Sequence, residues 1–199
     1  MCCKKYFYDK FIEIINQWKE DEIAAISILV YSNETYVYKG IKNFFEISIG
    51  YIQKDDKYDS DDVKGLKVIL NAEEDDETAE IILEFLVSNG VKNIGSEDFE
   101  KSYDENMNYI GKGPNGYYEV LNMIAETARD LQLHGIVNKK FGKIPIIIHD
   151  LEYSWYSEEA TILANSNNEA KEFIEYFREK FEVMHCTEHR SGISRKWNH

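Results

Sequence analysis

A nearly continuous apolar run constrains the fold of this chain more than any other stretch. Residues 23–31 read IAAISILVY and are rich in β-branched side chains. A strand with one solvent-facing side alternates apolar and polar residues, whereas a strand buried on both sides is apolar throughout. The sequence therefore predicts a strand at residues 23–31 that is buried on both faces, or nearly so.

Further strands are predicted directly after the first one. The segment TYVYK at residues 35–39 follows a polar break and is predicted to form a hairpin with the first strand. At residues 45–51, Phe, Ile and Tyr alternate with polar or small residues, which indicates a third strand with one wet face. We interpret these strands as an antiparallel meander. Residues 66–70 add a short strand to it.

Helices are predicted at the N-terminus and more densely in the second half of the chain. Apolar residues recur at steps of three and four in residues 6–20 and, most clearly, in residues 117–133. Further helices are predicted from 75 or 76 to 88, from 157 to 164, and up to 181 after a capping-box pattern at 166–169.

The order of these elements favours an α+β fold over a regularly alternating α/β fold. We expect an antiparallel sheet formed early in the chain, with helices mostly from the C-terminal half packed on it. The apolar segment at residues 144–148 is a later strand, and its Pro145 favours a sheet edge or the start of the strand. No linker-like segment divides the chain, so we expect one domain over residues 1–181 and a mobile tail at 182–199.

Cysteine usage and hydropathy favour a cytoplasmic protein. The chain has three cysteines, an odd number, and two of them are adjacent at the N-terminus. A secreted protein usually pairs an even set, so we expect free thiols in a reducing compartment. No apolar run approaches the roughly 20 residues that span a bilayer, and the N-terminal region has the pattern of an amphipathic helix rather than of a signal peptide.

The charge is strongly acidic and unevenly distributed. The net charge is −14, and residues 54–105 contain seventeen acidic and six basic residues. An acidic field repels phosphate backbones, which argues against nucleic-acid binding, and it attracts a basic protein. Solubility alone is the other explanation of this charge. If the acids bind a partner, the contact candidates are Asp55, Asp56, Asp59, Asp61, Asp62, Glu73, Glu74, Asp75, Asp76 and Glu77.

Three titratable residues follow the strand at 144–148. Alternation places His149 on one side of the strand, and Asp150 and Glu152 on the other. Two carboxylates on one face could hold a divalent metal or act in acid–base catalysis. The alternative is a polar strand end in which His149 is hydrogen-bonded in place. The next aromatic residues either rim a partner surface or pack over the edge of the core; they are Tyr153, Trp155 and Tyr156.

Other motifs carry less information. The loop GKGPNG at residues 111–116 matches neither a P-loop nor a dinucleotide-binding loop, so we interpret it as a turn that leads into a helix. His185, Cys186 and His189 have zinc-ligand spacing but lack a second pair of ligands, which favours a mobile tail. The sequence predicts no catalytic residue, no cofactor and no metal.

Three segments carry a resemblance to a known family: GPNGYYEVLN at 113–122, AETARDLQLHG at 125–135, and KFGKIPIIIHDLEYSWYSEEATILAN at 140–165. The chain resembles a family of small bacterial proteins that contain a domain of unknown function, and families of this kind are associated with the immunity proteins of bacterial toxin systems. The resemblance covers most of the chain and is closer from about 113 to 177. It implies a cytosolic bacterial protein that binds a cognate toxin, and it transfers no catalytic residue.

Together these observations predict a non-enzymatic protein-binding module of the immunity type, which occludes a basic partner with an acidic surface. Two alternatives stay open. One is a metal-dependent hydrolase that uses His149, Asp150 and Glu152. The other is a homodimeric structural or regulatory protein that associates through the edge strand at Pro145 or through the aromatic residues after it.

Overall fold

The structure, a computed structural model, describes residues 2–33, 35–54, 56, 63–71, 76–105, 110–150, 154–165 and 168–179. The described residues form four strands: β1 (Ile23–Ser32), β2 (Phe45–Gln53), β3 (Lys64–Asn71) and β4 (Ile146–His149). The described helices are α1 (Cys3–Gln17), α2 (Asp76–Ser88), α3 (Phe99–Ser102), α4 (Tyr117–Leu133), α5 (Ile136–Phe141), α6 (Trp155–Ala164) and α7 (171–179). The predicted α+β class is confirmed.

The sheet is mixed, so the prediction of an antiparallel sheet is only partly right. Its strand order is β3-β2-β1-β4, with β2 antiparallel to both β1 and β3. β4 runs parallel to β1, and Ile28 lies opposite Ile148. The chain enters β4 after the helices α4 and α5, and a helical connection of this length permits a parallel return. The apolar run at 144–148 is compatible with either direction.

The predicted hairpin strand at residues 35–39 is wrong. The antiparallel partner of β1 is β2, with Val30 opposite Ile47. Within the connection, Tyr38 and Ile41 exchange backbone hydrogen bonds of 2.9 and 2.8 Å around a turn. Lys39 and Gly40 at its tip both have positive φ, as a tight two-residue turn requires. The buried ring of Tyr38 anchors this loop to the core.

Helices from both halves of the chain cover the sheet, which corrects the expectation that they come mostly from the C-terminal half. The larger core lies on one face, where α1 and α2 from the first half pack beside α4 and α6. On the opposite face, Phe173 and Phe177 of α7 pack against Ala25, Ile52 and Ile147. β1 is therefore covered on both sides, as its apolar run predicts.

The N-terminal residues are part of this packing. Cys2 is exposed and Cys3 is buried, and both are free thiols. Burial raises the pKa of Cys3 to about 12.

No helix in the described part of the chain combines the length and apolar character needed to cross a membrane. The proposed domain boundary at 181, the tail at 182–199 and its candidate ligands His185, Cys186 and His189 lie outside the described residues.

Side chains from α6 and its C-cap residue close the outer edge of β4. The backbone amide of Ile26 donates to the carbonyl oxygen of Pro145, so the backbone groups of every second residue of β4 bond to β1. The backbone N–H and C=O groups of Ile146 and Ile148 therefore point away from β1. The Asn165 side chain accepts a hydrogen bond from the Ile146 amide at 2.9 Å and donates to its carbonyl at 2.6 Å. Thr161 forms the same pair of bonds with Ile148, at 2.9 and 3.2 Å. These two side chains, one helical turn apart, take the place of a neighbouring strand.

The replacement Asn165→Leu tests this closure. It removes the partner of a buried amide and a buried carbonyl, so we expect the free energy of unfolding to fall by about 3 kcal/mol. The control Ile162→Ala lies on the same helix at an exposed position and should change stability by less than about 0.5 kcal/mol. Urea denaturation measures both. A loss at position 165 no larger than that of the control would contradict the closure.

Candidate functional site

The polar residues predicted at the end of β4 do not form one site. His149 is buried, and its ring lies 5.8 Å from the ring of Phe173, on the face that α7 covers. Asp150 points to the opposite face, toward Tyr117 and Tyr156. The predicted alternation of these two residues is confirmed. Glu152 lies outside the described residues.

Asp150 is the acceptor of a partly buried hydrogen-bond cluster. Its Oδ2 accepts from the Tyr117 hydroxyl at 3.0 Å and from the Tyr156 hydroxyl at 3.1 Å. The Tyr117 hydroxyl also lies 2.8 Å from the carbonyl oxygen of Val30. The cluster thereby ties α4 and α6 to the carboxyl ends of β1 and β4. This arrangement supports the packing of the core.

The two rings of this cluster contact each other edge to face, with centroids 5.5 Å apart. For Tyr156, the structure therefore selects packing in the core over the alternative of a partner surface. Trp155 is only partly buried and packs against Tyr118 and Tyr156. Tyr153 lies outside the described residues. Within the described residues, no group of three or more His, Cys, Asp and Glu side chains could hold a metal ion.

The glycine-rich loop before α4 lines an open cleft of about 330 Å³. Its other wall is formed by residues 89–92, which directly follow α2. The loop is held by backbone bonds from Asn115 to Ser96 at 2.8 Å and from Gly95 to Asn115 at 2.9 Å. Gly116 is the N-cap of α4 and has φ +97°, a backbone conformation that is unfavourable for residues other than glycine. The interpretation of this loop as a turn that leads into a helix is confirmed.

Most of the predicted acidic contacts lie outside the described residues: Asp55, Asp59, Asp61, Asp62, Glu73, Glu74, Asp75 and the side chain of Asp76. Asp56 is described and pairs with Lys64 at 2.8 Å. The hydrogen bond from this lysine lowers the pKa of the Asp56 carboxyl, which keeps it charged at neutral pH. Glu77 is exposed at the start of α2.

The outer side of α2 extends this acidic surface beyond the predicted residues. Glu77, Glu80 and Glu84 follow one another at steps of three and four along the helix. Glu80 accepts a hydrogen bond from Tyr38 at 2.9 Å and pairs with Lys39, whose hydrogen bond lowers the pKa of this carboxyl. Among the described residues, no basic side chain pairs with Glu77 or Glu84. The helical spacing of these acids was the signal in the sequence that could have identified them.

β3 is the second distinctive surface. It is an edge strand, and no described strand lies beyond it. Residues 64–68 are all exposed, including Leu66 at 48% and Val68 at 54%. α2 packs directly against this strand. We define the β3 edge as residues 64–71 and the α2 acidic row as Glu77, Glu80 and Glu84; together they form the candidate binding surface.

Comparisons of this chain with protein families, with curated proteins and with solved structures find no match. The resemblance to a family associated with immunity proteins therefore stays a prediction. The candidate surface is defined by geometry, exposure and charge alone.

The hydroxyl cluster at Asp150 can be tested by a double-mutant cycle. Tyr117→Phe removes a donor to a carboxylate, so we expect a loss of about 1.5–3 kcal/mol in the free energy of unfolding. Because Tyr156 donates to the same oxygen, the effects of Tyr117→Phe and Tyr156→Phe should be non-additive by at least about 0.5 kcal/mol.

The matched control is Tyr118→Phe. Its hydroxyl donates to the exposed Glu159 at 3.1 Å, and its loss should change stability by less than about 0.5 kcal/mol. Denaturant titrations of the four variants give all of these values. If the Tyr117→Phe protein is as stable as the Tyr118→Phe protein, the cluster does not stabilise the fold as we expect.

Proposed function

We propose that this chain is a non-enzymatic protein-binding module of the immunity type, which occludes a basic partner with an acidic surface. The α2 acidic row beside the exposed β3 edge carries the proposal. A charged surface alone is ordinary on an acidic protein. A charged surface next to a strand with the exposed apolar side chains Leu66 and Val68 offers both attraction and area to bury.

Electrostatics and burial have different roles in this proposal. The net charge of −14 attracts a cationic partner over a distance of about one Debye length, roughly 10 Å at 0.1 M salt. This attraction raises the association rate and falls with added salt. Apolar contacts at the strand edge limit the dissociation rate.

The two alternative functions have less support. A hydrolase that uses His149 and Asp150 needs both side chains at one substrate, and they face opposite sides of the sheet. A dimer formed by strand pairing at Pro145 would have to displace the hydrogen bonds of Thr161 and Asn165 to the outer edge of β4. The binding proposal requires neither rearrangement.

Capture followed by kinetics tests the proposal. The immobilised chain is exposed to lysate of its native cell at low and at high salt, and retained proteins are identified by mass spectrometry. We expect a basic protein that is retained at low salt, is released at high salt and loses its own activity when bound. The captured protein is then purified for rate measurements.

The variant Glu77→Gln/Glu84→Gln removes two charges of the α2 acidic row. We expect it to slow association several-fold and to flatten the salt dependence, with little change in the dissociation rate. The control Glu13→Gln/Glu172→Gln removes two exposed acids from α1 and α7 and should have a smaller effect. Equal association rates for the two double variants, or a column that retains no basic protein, would contradict the proposal.

A further inference from the structure

We propose that a cluster of two tyrosines and one glutamate, near the end of β3, binds an arginine side chain of the partner. The cluster consists of Tyr31, Tyr36 and Glu46, and each of the three is half-buried. We call it the Tyr–Glu cluster. This inference rests on the proposed function, because the arginine belongs to the same basic partner.

Two neighbouring strands and the connection between them bring these residues together. Tyr31 and Glu46 lie opposite each other on β1 and β2, so their side chains share one face of the sheet. Tyr36 lies in the connection between the two strands. Its carbonyl oxygen accepts a hydrogen bond from the Phe44 amide at 3.1 Å, which holds Tyr36 close to the start of β2.

The two tyrosine hydroxyls form a chain of hydrogen bonds that ends on the carboxylate. They lie 3.1 Å apart, and the Tyr36 hydroxyl donates to Oε2 of Glu46 at 2.9 Å. Because a hydroxyl has only one proton to donate, Tyr31 is the donor to Tyr36 within this pair. Burial, together with hydrogen bonds to Tyr36 and Glu46, raises the pKa of Tyr31. The tyrosines therefore keep their protons at neutral pH, and the cluster carries the single negative charge of Glu46.

This charge lacks a counter-ion in the part of the chain that the structure describes. No basic side chain there forms an ion pair with Glu46, whereas Asp56 and Glu80 each pair with a lysine. Water screens the attraction between partly buried charges less than it screens the attraction between exposed ones. A cation from a partner therefore gains more at Glu46 than at a fully exposed acid such as Glu13.

The tyrosine rings favour arginine over lysine as this cation. The ring centroids of Tyr31 and Tyr36 lie 5.9 Å apart, and the ring planes are tilted by 51°. A guanidinium group is planar and weakly hydrated, so it can stack on an aromatic ring while its N–H groups bind a carboxylate. The ammonium group of lysine is more strongly hydrated and lacks this planar fork. Two aromatic rings beside one carboxylate are therefore better matched to arginine.

The Tyr–Glu cluster adjoins the candidate binding surface. Glu46 lies opposite Asn71, the last residue of β3. The connection that contains Tyr36 also contains Tyr38, whose hydroxyl donates to Glu80 of the α2 acidic row at 2.9 Å. Val37 lies between these two tyrosines and is 45% exposed, so it offers apolar contact beside the cluster. A partner that covers the candidate surface can therefore place one arginine on the cluster without a second interface.

An NMR titration with small arginine analogues tests the inference without a purified partner. The probe is N-acetyl-arginine amide. Its control is N-acetyl-citrulline amide, which has the same length and shape but no charge, and N-acetyl-lysine amide tests the preference for a guanidinium group. The ring signals of ¹³C-labelled tyrosines are followed at about 0.15 M salt, which screens the general acidic field. The variants Tyr31→Phe and Tyr36→Phe assign the two signals.

We expect the arginine probe to shift the ring signals of Tyr31 and Tyr36 and to bind at least about tenfold more tightly than the citrulline control. The lysine probe should bind about threefold more weakly than the arginine probe. The matched protein variants are Glu46→Gln and Glu13→Gln, because each removes one negative charge. Glu46→Gln should weaken binding of the arginine probe at least about fivefold, and Glu13→Gln less than about twofold.

The same two variants test the inference on the captured partner. We expect Glu46→Gln to raise the dissociation rate at least about fivefold and to leave the association rate close to that of the Glu13→Gln protein. This result would separate the cluster from the α2 acidic row, whose loss slows association. A dissociation rate equal to that of the Glu13→Gln protein would overturn the inference.

Equal shifts with the arginine and citrulline probes in the wild-type protein would also overturn the inference, and this comparison depends on no variant. Equal weakening by Glu46→Gln and Glu13→Gln would assign the binding to net charge and overturn it too. Tighter binding of the lysine probe would overturn the choice of arginine. None of these outcomes changes the salt-dependent capture of a basic protein, so the inference can fail while the proposed function stands.

Discussion

The hydrogen bonds from Thr161 and Asn165 to β4 determine where the sheet ends. Without them, the outward amides and carbonyls of Ile146 and Ile148 would be buried beside α6 without partners. Such groups are costly, so β4 and α6 are stable only together. A four-stranded open sheet has two edges: α6 closes the edge at β4, and no described strand lies beyond β3 at the other edge.

A second set of polar contacts connects the helices to the centre of the sheet. Tyr117 begins α4 and reaches both the carbonyl oxygen of Val30 and the carboxylate of Asp150. Tyr156 brings α6 to the same carboxylate. In α/β enzymes, the active site often lies at the carboxyl ends of parallel strands. In this chain, β1 and β4 are the parallel strands. Here the corresponding position is filled by tyrosine side chains, and Asp150 serves as their acceptor.

The proposed binding surface lies at the β3 edge of the sheet, opposite the β4 edge that α6 closes. In the proposed function, its acids act over a distance and raise the association rate of a cationic partner, whereas the strand edge offers apolar contact at short range. Charge alone selects weakly among basic proteins, so in the proposed function the exposed apolar side chains of Leu66 and Val68 add to the selectivity.

The sequence by itself determined the elements whose signals are local. The apolar run of β1 and the helical spacing of 117–133 predict those elements correctly. Pro145 predicts the edge position of β4. Each of these signals depends on neighbouring residues or on backbone conformation.

Only the tertiary structure decided the direction of β4 and the role of residues 35–39. It also decided that the sheet edge at β4 is closed by α6 and that the exposed edge is at β3. TYVYK has the alternation of a strand, but the core takes up Tyr38 and β1 pairs with β2 instead. Asp150 has the sequence context of an active-site acid, yet two tyrosines from distant helices are its donors. Leu66 and Val68 have the pattern of Ile47 and Ile49 but stay exposed, because exposure depends on which strands and helices lie alongside, and those contacts join residues far apart in the sequence.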